Sequence, residues 1–458
     1  MTLLKSNRAS HLAPPGPGRL IPLSELRALR DDPLSALVAI AERYGDIFSY
    51  PIAFQDIYVL NHPDHIEHVL VTNQKNYNKN TFQFNLLKAV TGNGLLASDG
   101  DYWRKQRRLI QPAFHKHRLE RLGPIAVEAS DRLLARWQSA IATGEVVDVE
   151  QAMLRVALEI LGEALFSNDM RGDAATITRA VMVALDHIAY RARNPFAPPR
   201  WLPTRRNRRV HRAMQTLDDA VATLLSQRRR STDRPDDLLT MLIEARDVET
   251  GEPMSDQQLR DELVTLLIAG HETVASALTW SWHLLATHPA ALAALQSELA
   301  TQLGGAPPTL DALANLPYTR AIFDEAMRLF PPNWIITRRA EQADEIGGYT
   351  IKAGSMVLIS PYLTQRDPQL WDRPNAFDPS RFMPEAPRPS RFAYFPFGSG
   401  TRLCIGKHFS LIEGPLVIAT LAQKVTMRAV NPTPHAEALV TIRPQGGLPM
   451  TIAARSQG

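Results

Sequence analysis

The chain predicts a mostly α fold, and three observations carry that expectation. First, a proline-free run extends from Ser255 to His288, ended by Pro289. It opens on Ser255-Asp256-Gln257-Gln258, a capping-box pattern. At 1.5 Å per residue a run of about 33 residues makes a helix of roughly 50 Å, long enough to cross a whole domain. Second, other segments read as helices: one opened by Trp103 to Arg108, one over Ile322–Phe330 that Pro331-Pro332 ends, and one over Ile405–Thr420. Third, a chain of 458 residues with 45% hydrophobic content is long enough to bury a large core. Length alone suggests roughly two to four domains. Yet no Gly/Ser linker, low-complexity stretch or internal repeat divides the sequence.

In chain order, residues 1–20 form a proline-rich leader around Pro14-Pro15-Gly16-Pro17-Gly18. No apolar core of signal-peptide length precedes it, and no uninterrupted apolar run reaches the ~18 residues of a membrane span. The expectation is a soluble, cytoplasmic protein. Trp103 and Arg107, at i and i+4, share a helix face. Arg104, Lys105 and Arg108 make the rest of that helix basic. The net charge is +4 with pI about 9.2, and one basic run stands out: Arg200, Arg205, Arg206, Arg208 and Arg209 beside Trp201. No nucleic-acid fold motif accompanies it, so a solvated loop between helices is preferred to nucleic-acid or membrane contact. On the long helix, Leu266, Ala269, Gly270, Thr273 and Ala277 fall on one face. Most are small, so a broad planar object could lie there. Gly270 and Thr273 also weaken the local backbone ladder. Glu325 and Arg328, at i and i+3, form a pair that in isolation is a common surface salt bridge.

Cys404 is the only cysteine. A lone thiol makes no internal disulfide and no cysteine-rich metal cluster. It can be a nucleophile, a small hydrophobe or a single-thiolate metal ligand. Gly400 and Gly406 allow tight turning and close approach of a flat group. Arg402 and the N-terminus of the following helix favour thiolate. A phosphate loop is excluded: the stretch from Gly400 to Lys407 has one residue too many between its glycines, and His408 follows the lysine. A cysteine hydrolase would need a partner histidine.

The run from Phe397 to Gly406, with Phe397, Gly400, Arg402, Cys404 and Gly406 as fixed positions, resembles the haem-ligand loop of the cytochrome P450 family. Ala269, Gly270, Glu272 and Thr273 resemble its oxygen-activation motif, with Val274 where a second hydroxyl is common. Glu325 and Arg328 resemble its buried ion pair, which Arg381 would join. The resemblance spans essentially the whole chain. It implies one large domain over 21–458, mostly α with a small β portion. It implies a haem b ligated by Cys404, with Phe397, Gly398, Gly406, Ala269 and Gly270 lying against it. Trp103, Arg107, Arg402 and Arg338 would hold the propionates, with Arg339 the rival of Arg338. Thr273 and Glu272 would manage protons.

The implied reaction is monooxygenation: one atom of O2 enters a hydrophobic substrate and the other leaves as water. Electrons would come from a separate acidic ferredoxin or flavodoxin, docked on Arg104, Lys105, Arg108, Lys116, Lys407 and His408. The implied state is a monomer of bacterial type. By the same analogy the pocket draws on Phe82, Phe84, Leu87, Leu96, Leu266, Ala269, Ile335 and Leu448, apolar residues that suit a lipid or terpene. The alternatives are a peroxygenase or isomerase, against which the Glu272-Thr273 pair argues, and a haem-binding protein without turnover.

Overall fold

The computed structural model describes residues 12–18, 21–52, 55–168, 172–194, 196–246 and 251–455. Most of the proline-rich leader, 1–11 with 19 and 20, lies outside them.

The long helix is Asp256–Thr287, with both capping-box bonds made. The Gln258 amide donates to Ser255 Oγ at 3.2 Å, and Gln258 Oε1 accepts from the Ser255 amide at 2.8 Å. It is the central post of the molecule. From Asp261 to Leu285 every residue is buried except Ala269, Gly270 and Thr273. Among the described residues it is also the one helix long and apolar enough to cross a membrane, but it lies inside the protein. Its main neighbour is the helix Val149–Phe166. A Cβ on Gly270 would come 2.6 Å from Leu161 Cδ1. Gly270 therefore serves close helix–helix approach, a different use from the weakened backbone ladder that the sequence suggested.

The other helices begin and end where local chemistry dictates. Asp99 caps Gly100–Ile110, so this helix starts a turn before Trp103. Pro317 opens Pro317–Leu329, which stops ahead of Pro331-Pro332. Lys407–Lys424 follows Cys404 and accommodates Pro415 in its interior.

The β portion is small and built from distant segments. One five-stranded sheet runs in the order Ile47–Ile52, Gln55–Leu60, Met356–Ile359, Ile336–Ala340, Tyr77–Asn78. Only its second and third strands pair parallel. Side chains alternate across a strand. Thus Arg338, opposite Val357, is buried, and Arg339, opposite Met356, is half-buried on the other face.

A turn over 92–95 straps the region ahead of Gly100–Ile110 to the central helix. The Leu95 amide donates to Glu262 at 2.9 Å, and the Asn93 amide donates to Asp261 at 2.8 Å. Burial raises the Glu262 carboxyl to about 8, against the Leu95 bond, which lowers it. A carboxyl raised on folding stabilises the fold below its unfolded value of 4.5, and that contribution fades as pH rises to about 8. Glu262→Gln keeps the acceptor and removes the titration. Its stability relative to the parent should therefore grow between pH 4.5 and 8, by a few kcal/mol in order of magnitude. Denaturant midpoints of both proteins across that range measure the effect. A constant difference would show that Glu262 ionises freely in the fold.

Candidate active site

Cys404 sits in a loop shaped by backbone demands. Its amide donates to Phe397 O at 3.0 Å. Gly398 and Gly400 adopt φ of 69° and 67°, and a Cβ on Gly400 would lie 2.0 Å from Leu70 O. Gly406 is different. Its φ is −84°, and a Cβ there would meet Cys404 Sγ at an ordinary 3.9 Å. Gly398 and Gly400 are the glycines that the turn requires. What Gly406 contributes is its amide, which hydrogen-bonds the sulfur.

The Cys404 residue is exposed, while its thiol is desolvated enough for burial to push its pKa up. These two facts agree if the sulfur lines an interior space rather than bulk water. The Gly406 amide, Arg107 and Lys407 oppose the shift. Arg402 does not act on the thiol as the sequence suggested. It turns instead to Ser98 O at 3.1 Å and to the Asp99 carboxylate, and stacks over the Trp103 ring at 3.5 Å.

Arg402 belongs to a cationic cluster. Arg338 is buried and donates to Thr337 O at 2.8 Å. Burial lowers its pKa to about 10. Arg107 donates to Leu403 O at 2.7 Å, tying the helix of Trp103 to the cysteine loop. Lys79 Nζ donates to Leu96 O at 2.8 Å, and burial, with Arg338 and Arg402 close by, drives its pKa well down. Lys79, Arg338 and Arg402 thus share one carboxylate, Asp99, with Arg107 close by. Lys79 and Asp99 were not foreseen. Their only sequence trace is a position just ahead of a helix, which many residues share. Arg339 points away from this cluster.

On the central helix, Ala269, Gly270 and Thr273 form a window in an otherwise buried surface. Thr273 Oγ1 donates to Ala269 O at 2.7 Å. Glu272 faces elsewhere. It is buried and accepts a bond from Thr441 Oγ1, at the tip of the hairpin Ala436–Ala438 and Ile442–Pro444. Burial raises its pKa, with Arg443 and Thr441 opposing. Thr441 was likewise not foreseen. The strap over 92–99 connects window and cluster, since it bonds Glu262 of the central helix through Leu95 and Arg402 through Ser98.

Glu325 and Arg328 are wholly buried, joined by bonds of 2.6 and 2.8 Å, with Arg381 Nε 3.5 Å from Glu325. Arg328 also donates to Gln365 O at 2.7 Å. The Gln365 side chain accepts from the Phe395 amide at 3.1 Å, just before the cysteine loop. The ion pair therefore reaches the loop through Gln365.

The expected pocket residues divide. Leu96, Ala269 and Ile335 are half-buried, and Phe82 is 52% exposed. Phe84, Leu87 and Leu266 pack into the main core. Leu448 is 1% exposed, and its backbone bonds Asp148 and Val149 where another helix starts. Of the expected docking residues, Arg104, Arg108 and His408 are exposed and Lys105 and Lys407 half-buried, while the Lys116 side chain lies outside the described set. Arg104 is paired with Asp101.

An exposed cysteine, a small-residue window and a cationic surplus together suit a flat dianionic group with one thiolate ligand. Comparison with known proteins points the same way. The family model described as Cytochrome P450 matches residues 14–448. Cyclooctatin synthase of Streptomyces melanosporofaciens is 37% identical over 404 residues, 88% of this chain and 87% of that one. Cyclooctat-9-en-7-ol 5-monooxygenase of the same organism is 33% identical over 443 residues, 96% and 95% of the two chains. Pentalenene oxygenase of Streptomyces avermitilis is 33% identical over 423 residues, 91% and 92%.

Proposed function

The chain belongs to the cytochrome P450 family, and from that premise we propose which of its residues carry the family's chemistry. It is a haem-thiolate monooxygenase that takes O2, a hydrophobic substrate and electrons from a redox partner. When bound, the haem activates O2, placing one atom in the substrate and releasing the other as water. The group is haem b, with Cys404 as its thiolate. The observation that carries this assignment is the surplus of Lys79, Arg107, Arg338 and Arg402 over Asp99 beside the Cys404 loop. The two propionates of a haem would offset that surplus with charge-assisted bonds. Trp103 holds Arg402 in place by stacking. Phe397, Gly398 and Gly406 shape the thiolate side. Ala269 and the backbone of Gly270 would lie against the group.

The net reaction consumes two electrons and two protons per O2, so the protein must deliver protons. Thr273 is placed for this at the window. Its hydroxyl gives its hydrogen to Ala269 O and keeps acceptor capacity toward the open side. Glu272, buried with a raised pKa, is a proton reservoir one residue away. Thr273→Val keeps the shape and removes the hydroxyl. Haem content should stay the same and reductant should still be consumed. Product per reductant should fall, with hydrogen peroxide taking up the difference. A relay of this kind contributes ~10²–10⁴-fold to a proton-transfer step. Full coupling in the variant would leave Thr273 as a helix residue only.

Two relatives are named for an alkenol and for pentalenene, which supports a cyclic hydrocarbon or its alcohol as substrate. Titration with such compounds, read by the Soret band, identifies binders. Isotopically labelled O2 then tests whether one oxygen atom reaches the product. Incorporation from water instead would refute monooxygenation.

The redox partner is an acidic ferredoxin or flavodoxin, and the enzyme is a cytoplasmic monomer. Arg108 gives the partner an exposed positive group on the side of the cysteine loop, and His408 is exposed there too. Charge reversal at Arg104, Lys105 and Arg108 should slow reduction several-fold, and added salt should do the same to the parent. Stopped-flow reduction that ignores both changes would remove this patch from the docking surface.

A further inference from the structure

A cavity of about 610 Å³ lies between the helices Ala174–Arg193 and Arg205–Arg230 and the hairpin that carries Thr441. It contains none of the thiol, window or propionate residues. Its walls are apolar at Val183, Val210 and Leu439. Its rim is cationic.

Two of its arginines are already satisfied. Arg193 meets Glu437 at 3.3 Å, and Arg443 meets Asp186 at 3.0 Å. The other three, Arg205, Arg206 and Arg209, have no carboxylate within ion-pair distance among the described residues. The Arg206 guanidinium stacks on Tyr190, 4.0 Å from the ring centroid. All three sit at the start of a helix whose first turn holds no acidic residue. A helix N-terminus carries partial positive charge, so arginines there repel it and favour a bound anion. No Asp or Glu occurs from His187 to Leu217, a stretch rich in arginine. His187, beside this region, is held down to about 4 by burial and then by Arg191, Arg200 and Arg206.

We propose that this cavity binds an amphiphilic organic anion: a phosphate monoester of an apolar alcohol, its head on Arg205, Arg206 and Arg209 and its body against Val183, Val210 and Leu439. The volume suits a small organic ligand. Three unpaired guanidinium forks match a dianionic phosphate head, and two of them can grip it bidentately. An uncharged alcohol would leave those forks unused. A free inorganic anion would leave the apolar wall unused.

Calorimetric titration of the holoenzyme with decyl phosphate below its micelle concentration tests the proposal. One equivalent should bind. Decanol and inorganic phosphate should each bind at least tenfold more weakly. Each of Arg205→Ser, Arg206→Ser and Arg209→Ser should weaken decyl phosphate roughly tenfold, as loss of a charge-assisted bond does. Arg208→Ser, on the same turn but outside the cavity, should not. Removing arginines from a helix N-terminus relieves repulsion, so the variants should melt no lower than the parent without ligand. The ligand should raise the melting temperature of the parent and of Arg208→Ser only. Equal affinity for decanol, or retention by the triple variant, would overturn the site. So would binding to phosphatidylglycerol vesicles with none to monomeric decyl phosphate, which would make the arginines a lipid-surface contact.

Discussion

Cys404→Ser should abolish the red-shifted Soret band that reduced protein shows under CO. The sulfur is held by a loop with little freedom. The residue's own amide is bonded to Phe397 O, Arg107 fixes the neighbouring Leu403 carbonyl, and the Gly406 amide bonds the sulfur itself. Serine enters this frame with a shorter side chain, a harder ligand atom and a hydroxyl that resists deprotonation. A soft thiolate is what gives this ligation its character. Because the loop is held by backbone bonds, the apo-protein fold should survive, with far-UV dichroism unchanged. The effect should be all or none in the spectrum and absent in the fold. Persistence of the band in the serine variant would mean that another residue supplies the ligand.

The second large effect is expected at Glu325. Removing its carboxylate strands the wholly buried guanidinium of Arg328, at a cost of about 3–5 kcal/mol. Arg328 would keep its bonds to the carbonyls of Gln365, Pro374 and Ala376, so collapse should be partial. It should centre on the route through Gln365 to Phe395. Glu325→Ala and Arg328→Ala should each yield protein with little haem and a lowered melting temperature. Replacing both by Leu and Met should cost less than either single change, since no charge is then left unpaired. Haem-to-protein ratios of the three variants decide it. Normal loading of both single variants would show that the pair does not shape the loop.

What the sequence disclosed follows from the range of the interactions involved. The central helix was legible because its signals are local: Ser255 and Gln258 cap it, and the absence of proline sustains it. The pairs Trp103–Arg107 and Glu325–Arg328 were legible because helical periodicity puts their members on one face. Resemblance supplied Arg338, and strand alternation in the structure separates it from Arg339. Lys79, Asp99, Gln365 and Thr441 were not legible. Each acts on a partner from 17 to 303 residues away, and no spacing rule connects such positions. Glycines misled for a related reason. Gly270 and Gly406 were read for the space they leave, yet Gly270 lets another helix approach and Gly406 offers an N–H.

The five-stranded sheet also constrains the order in which the chain folds. Its parallel pair joins Ile57 to Met356, and an edge pair joins Tyr77 to Ala340. Closing such long loops costs entropy before any contact repays it, and folds dominated by distant pairings form slowly. Helices that close locally, the central one above all, can form first on a nascent chain. Arg338 rides on the strand that enters this sheet last in sequence but one, and Cys404 and Arg402 emerge later still. A ribosome must therefore release most of the polypeptide before the cation cluster can exist. Until then the segment around Lys79 waits beside a half-built sheet with an unpaired edge. Cofactor capture is thus a late event in biogenesis, and cells short of haem should accumulate a nearly complete chain whose loosest part is the sheet rather than the helical core.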